Sequence, residues 1–175
     1  DAREAFDDGG TVAALTPVHG AIEALATLSQ GRRGSAEIAR LVLQAAAAAA
    51  QSERDEMRLY LETAIQMELI QGAAGLPGAP LVSATEIAGD LWLQVDRYED
   101  ARQVYDDAAD RVGPSLRNMV GSARASSRLK DVLEACRSYG TLLETWGTRP
   151  GLPAEIAEAR TYVEHVCASA DVPSG

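Results

Sequence analysis

Arg117, Arg124 and Arg128 are spaced by seven and four positions, which places them on one face of a helix. A guanidinium holds a carboxylate through two parallel hydrogen bonds. A row of three suits an acidic peptide segment or a C-terminal carboxylate. The chain around them carries a net charge of −10 and has a pI near 4.6, so the row is a local reversal of sign. The competing reading is internal: the same arginines can pair with Glu86, Asp90 or Glu158. No other set of side chains makes a comparable claim. His19 and His165 are the only histidines. His165 lies near Glu164 and Cys167, but that spacing fits no zinc pattern. Gly31-Arg32-Arg33-Gly34 lacks the spacing and the lysine of a phosphate loop. No serine stands in a nucleophile elbow. The adjacent carboxylates Glu99-Asp100 and Asp106-Asp107 point in different directions on a helix and read as solvated faces. The expectation is a protein that is not an enzyme and needs no cofactor or metal.

The elements that must position these residues read as helices. Hydrophobic content is 46% but aromatics are only 5%, and alanine, the best helix former, is abundant. Period-two runs of β-branched residues, the mark of strands, are missing. Residues 1–16 read as an N-terminal tail and 17–168 as one helical domain, with 169–175 as a C-terminal tail. Pro17 opens a helix after the cap Thr16, with Val18, Ile22, Leu25 and Leu28 on its apolar side. Ser35 is expected to cap a helix carrying Ile38, Leu41, Val42 and the run Ala45 to Ala50, which reads as a tight helix contact. Ser52 is expected to cap the next, with Met57, Leu61, Ala64 and Leu69. Glycine and proline crowd residues 72–81, which read as an insertion loop. Helices then span Ser83–Val95, Tyr98–Val112, Pro114–Ser127 and Leu129–Trp146. A glycine- and proline-rich break follows, and then a last helix over Ala154–Ala168. Cys136 falls near the start of one helix and Cys167 near the end of the antiparallel one that follows. A bridge is open to them, while two free thiols are the simpler expectation.

Tyr105 and Tyr139 are 34 residues apart, each with an alanine four positions earlier, Ala101 and Ala135. Upstream, Met57, Leu61 and Ala64 correspond to Ala101, Tyr105 and Ala108 at an offset of 44. The excess of ten matches the insertion loop. A fixed period of this length marks an array of helical hairpins. The copy from about Val82 to Ser115 resembles a tetratricopeptide repeat (TPR). Gly89 matches the small residue that lets paired helices approach, and Trp92 the large residue three on. Ala101, Tyr105 and Ala108 match the small-aromatic-small series of the second helix. The chain departs from the family at three places. Thr85 stands near the usual tryptophan, Ala88 replaces a leucine, and Pro114 falls one place late. In the next copy Ala123, Ser126 and Leu142 stand for Gly89, Trp92 and Ala108. The resemblance covers roughly Ile38 to Arg149.

What the resemblance implies is an all-α right-handed α-α superhelix of about eight helices, with a C-terminal capping helix. It implies a concave groove lined by Val42, Glu86, Asp90, Leu93, Gln94, Arg117, Val120, Arg124, Arg128, Glu158 and Tyr162. It also implies a protein- or peptide-binding scaffold or adaptor, or the sensing module of a larger bacterial protein. TPR proteins that bind chaperone tails use a basic clamp of this general kind. The full clamp is not matched, because its lysine and asparagine partners are missing. The rival readings are a self-association module, giving a homo-oligomer, and a small-ligand-sensing domain of a transcriptional regulator.

The acidic balance argues against nucleic acid and anionic lipid as partners. No stretch approaches the ~20 apolar residues that span a bilayer. The chain does not begin with methionine, which reads as a processed or excised piece. A cytoplasmic setting is favoured over a periplasmic one.

Overall fold

Between the turn residues the chain offers alanine, leucine and other good helix formers, and among the described residues each such run is helical. The computed structural model describes residues 18–24, 33–73, 83–148 and 153–169. Among the described residues there is no strand, so the protein is all-α as expected. Residues 18–24 are helical. They are followed by α1 (Arg33–Ala50), α2 (Arg54–Ala73), α3 (Ala84–Gln94), α4 (Tyr98–Val112), α5 (Leu116–Arg128), α6 (Val132–Trp146) and α7 (Ala154–Tyr162). The chain then runs on into a π-helical turn, Val163–Cys167. The tail expected at 1–16 lies outside the described residues, as does the C-terminal tail beyond Ser169. Helix α2 takes the first two positions of the expected 72–81 loop, and the rest of that loop lies outside the described residues.

Two of the expected caps are corrected. Helix α1 already begins at Arg33, so Ser35 sits inside its first turn. Ser52 is not a cap either: its φ is 63°, and it forms the left-handed link between α1 and α2. Ser115 does cap α5. Its side chain accepts from the Asn118 amide, and the Asn118 side chain accepts from the Ser115 amide. The Asn118 Nδ2 donates in turn to the Gly113 carbonyl at 3.1 Å, so this buried amide is used at both ends.

The sequence period is a period of backbone geometry. Among the described residues the non-glycine positions with positive φ are Ser52 (63°), Asp96 (60°) and Lys130 (62°), separated by the same 44 and 34 positions. Each closes its helix in the same way. The amides of Glu53, Arg97 and Asp131 donate to the carbonyls of Ala48, Trp92 and Ser126 at 2.9, 2.9 and 3.0 Å. Ser52, Asp96 and Lys130 donate to Ala49, Leu93 and Ser127 at 3.1, 3.2 and 3.1 Å. This double closure is a Schellman motif, here built without its usual glycine. On either side of the turn the equivalent positions Ala45, Gly89 and Ala123, then Met57, Ala101 and Ala135, then Leu61, Tyr105 and Tyr139 are all buried. Small side chains before the turn and a large one after it are what close helix packing needs.

The chain forms two compact units, Asp1–Leu91 and Trp92–Gly175. In the first, Ile38 and Leu41 of α1, Ala64 of α2 and Ala84 of α3 share one apolar cluster, with Val42 packed against it. The alanine run of α1 is core: Ala45, Ala47, Ala48 and Ala49 are buried, and Ala47 meets Val18. In the second, Val120 and Ala123 of α5, Tyr139 and Leu142 of α6, and Ile156 and Ala159 of α7 form one cluster. Helix α7 thereby covers the apolar side of the α5–α6 pair.

Helices α4 and α5 meet where the Tyr105 ring lies over Gly121. A Cβ at Gly121 would stand 2.2 Å from Tyr105 Cζ and 2.4 Å from both Cε atoms. The ring is 1% exposed and has no room to retreat. In an isolated helix alanine outranks glycine by about 1 kcal/mol. Here the clash decides, and Gly121→Ala is expected to destabilise by about 1–2 kcal/mol net of that gain. Urea denaturation of the variant checks the sign.

Candidate functional site

The second unit carries a cleft of about 580 Å³ between α5, α7 and the π turn, with the α3–α4 link at its edge. Its charged centre is built from three helices. Arg124 of α5 grips Glu158 of α7 through three contacts, Nε to Oε1 at 2.9 Å, Nε to Oε2 at 3.2 Å and Nη2 to Oε2 at 2.5 Å. Tyr139 of α6 donates its hydroxyl to the same Oε1 at 2.7 Å. The Tyr162 ring leans on Tyr139 with centroids 4.8 Å apart and planes inclined by 38°. Arg124 and Glu158 are 34 residues apart, the same step that separates Tyr105 from Tyr139.

The electrostatics follow from these contacts. The Arg124 guanidinium, helped by the Tyr139 hydroxyl, holds the Glu158 carboxyl below the usual carboxylate range, against the opposing effect of burial. The same bond keeps Arg124 firmly protonated. Burial, and then donation to Glu158, push the Tyr139 hydroxyl well above the ordinary phenol range. Because the folded Glu158 pKa is depressed, its contribution to stability is present above the unfolded value of about 4.3. It is lost as pH falls through the lower folded value. Urea midpoints measured at pH 6 and pH 3 should therefore differ more for the native chain than for Glu158→Gln.

One turn beyond Arg124 lies Arg128, exposed and making no ion pair among the described residues. Asp96 and Tyr98 stand on the same rim, with the Tyr98 hydroxyl donating to Asp96 Oδ1 at 2.5 Å. Leu93 and Val166 supply apolar wall, and His165 is exposed on the π turn. The cleft thus offers one cation that makes no ion pair among the described residues, a second already holding a carboxylate, and tyrosine rings beside both.

Of the residues expected to line a groove, the structure brings Leu93, Arg124, Arg128, Glu158 and Tyr162 together here. Val120 is corrected: it is 2% exposed and belongs to the core, because α5 turns Val120 and Ala123 inward on its apolar face. Val42 likewise packs against the core of the first unit. Arg117, earlier on α5, does not line the cleft, so the expected row of three arginines supplies two to it. Gln94 does not line it either, and Glu86 and Asp90 belong to the first unit. The sequence pattern marks Tyr139 only through its period with Tyr105, and it gives no sign of Asp96, Tyr98, Ser127 or Thr161 at the site. The 34-residue step from Arg124 to Glu158 was the signal that could have assigned the pair.

The expectation of free thiols is overturned. Cys136 and Cys167 form a disulfide, with Cα atoms 5.7 Å apart. Helix α7 and the π turn return along α6, which sets the two side chains against each other. Among the described residues no group of three potential ligands could hold a metal ion, and no helix is long and apolar enough to cross a membrane. No family model, curated protein or solved structure matches the chain.

Proposed function

We propose that the chain is a non-catalytic, TPR-like binding module that takes an acidic peptide segment in the cleft of its second unit. The observation that carries this reading is the state of the two arginines. Arg128, beside Tyr98, makes no ion pair among the described residues, while Arg124 shows, through Glu158, how this site holds a carboxylate. A ligand carboxylate would dock on Arg128, and its apolar neighbour would rest on Leu93 and Tyr162. The repeated Schellman turns and the small-aromatic pattern support the TPR-like part, and with it a superhelical array and an adaptor role in a bacterial protein. The disulfide fits an oxidising compartment better than the cytoplasm. A second reading, a small-ligand sensor, draws on the cleft volume, which falls in the range of small-molecule sites.

The test is capture of partners from lysate by the native chain, Arg128→Ala and Arg117→Ala, with circular dichroism confirming matched folds. A partner is expected that weakens about tenfold or more on loss of Arg128, the scale of one charged hydrogen-bonded contact. Arg117→Ala should retain it. A partner held equally by all three chains would move the binding surface off this cleft.

A further inference from the structure

We propose that the Cys136–Cys167 disulfide is a redox latch on the cleft wall, holding the π turn in the register that presents His165 and Val166. Four observations converge on it. The turn ends at Cys167, and His165 and Val166, immediately before it, line the cleft. None of the residues Val163–Cys167 is buried, whereas α7 before it is anchored by Ile156 and Ala159. Past the partly buried Val163, the deep attachment of this segment is covalent: Cys136 is itself buried in α6. The turn is also wider than an α-helix, closed by the Ala168 amide on the Val163 carbonyl at 3.2 Å. A π turn is a rare geometry that an unconstrained helix end has little reason to keep. Releasing Cys167 lets the segment tighten to the α register or fray, and either change carries His165 and Val166 away from their places.

The chemistry is ordinary thiol–disulfide exchange with an external dithiol as reductant. Its thiolate attacks the sulfur of Cys167, which is part-exposed, while the buried Cys136 sulfur leaves as a thiolate and takes a proton. The second thiol of the reductant then attacks the mixed disulfide and releases Cys167. Two electrons and two protons pass to the protein, and the reductant ends as its own disulfide.

The cleft is shared with the peptide-binding reading, but the primary test does not depend on a ligand. Side-chain NMR of the native chain is compared with and without dithiothreitol, and with Cys136→Ser/Cys167→Ser. The expected result is that the His165 ring and Val166 methyl resonances shift or broaden in the reduced and serine forms, while the Val120 and Leu142 methyls keep their folded positions. Unchanged His165 and Val166 resonances would overturn the latch. So would collapse of the Val120 and Leu142 methyls to unfolded positions, because the bridge would then hold the whole unit. A fluorescent peptide with one glutamate beside a leucine in an otherwise neutral sequence is titrated against both forms in parallel. Binding to neither form, with the His165 shift present, leaves the latch standing and counts against the peptide reading.

Discussion

Reduction of the Cys136–Cys167 bridge, or its replacement by two serines, is expected to lower the stability of the second unit by about 3–4 kcal/mol. The figure follows from the 31-residue separation of the cysteines, since cross-linking a loop of that length restricts the unfolded chain by this amount. In a unit of this size each kcal/mol moves the melting temperature by about 4–8 °C, so a fall of roughly 12–32 °C is expected. Thermal melts with and without dithiothreitol, followed by ellipticity at the helical minimum, measure it directly. The serine pair must reproduce the effect of the reductant. A melting temperature indifferent to both would mean that the bridge does not form in solution.

Tyr105→Ala is expected to cost about 3–5 kcal/mol, as removal of a large buried aromatic does. The ring is 1% exposed and fills the contact between α4 and α5. Its partnership with Gly121 makes a sharper statement through a double-mutant cycle. Alone, Gly121→Ala destabilises, because the new methyl group meets the ring. In the Tyr105→Ala background the obstacle is gone and the higher helix propensity of alanine, about 1 kcal/mol, remains. The sign of the Gly121 substitution should therefore reverse between the two backgrounds. Additive behaviour within about 0.5 kcal/mol would show that the two residues do not meet.

The elements were legible because helix formers and breakers alternate clearly along this chain. The steps of 34 and 44, read from Tyr105, Tyr139 and Leu61, recur in the turn residues Lys130, Asp96 and Ser52. Helix starts were less legible. Ser35 and Ser52 have the chemistry of caps, but the backbone takes Ser52 into a left-handed turn instead. At the site, charge pattern found Arg124, Arg128 and Glu158 but could not tell a free arginine from a paired one. That distinction depends on how α7 packs across α5, which is a tertiary fact. Val120 misled for a related reason: a position counted along a repeat says which helix a residue is on, not how far that helix is rotated. The disulfide was not decided by composition, because two cysteines without a framework carry no pairing information. The π turn has no sequence mark at all, and His165 and Val166, which line the cleft, both sit on it.

On the proposed acidic-peptide reading, the pairing of Arg124 with Glu158 also sets what a ligand must do. An incoming carboxylate can use Arg128 without disturbing the Arg124–Glu158–Tyr139 cluster, or it can displace Glu158 and face its repulsion. The first route is favoured because it leaves no charge without its partner. Acidic ligands should thus be selected at one position, beside an apolar residue, rather than as long anionic runs.

Selection of a randomised peptide display library on the native, oxidised chain tests this most directly, with affinities of the enriched peptides then measured against Arg128→Gln. Enriched peptides are predicted to share one Asp or Glu next to an apolar residue and to bind the variant at least tenfold more weakly. Enriched peptides without a common carboxylate, or with equal affinity for native and variant chains, would contradict the assignment of the cleft as an acidic-peptide site.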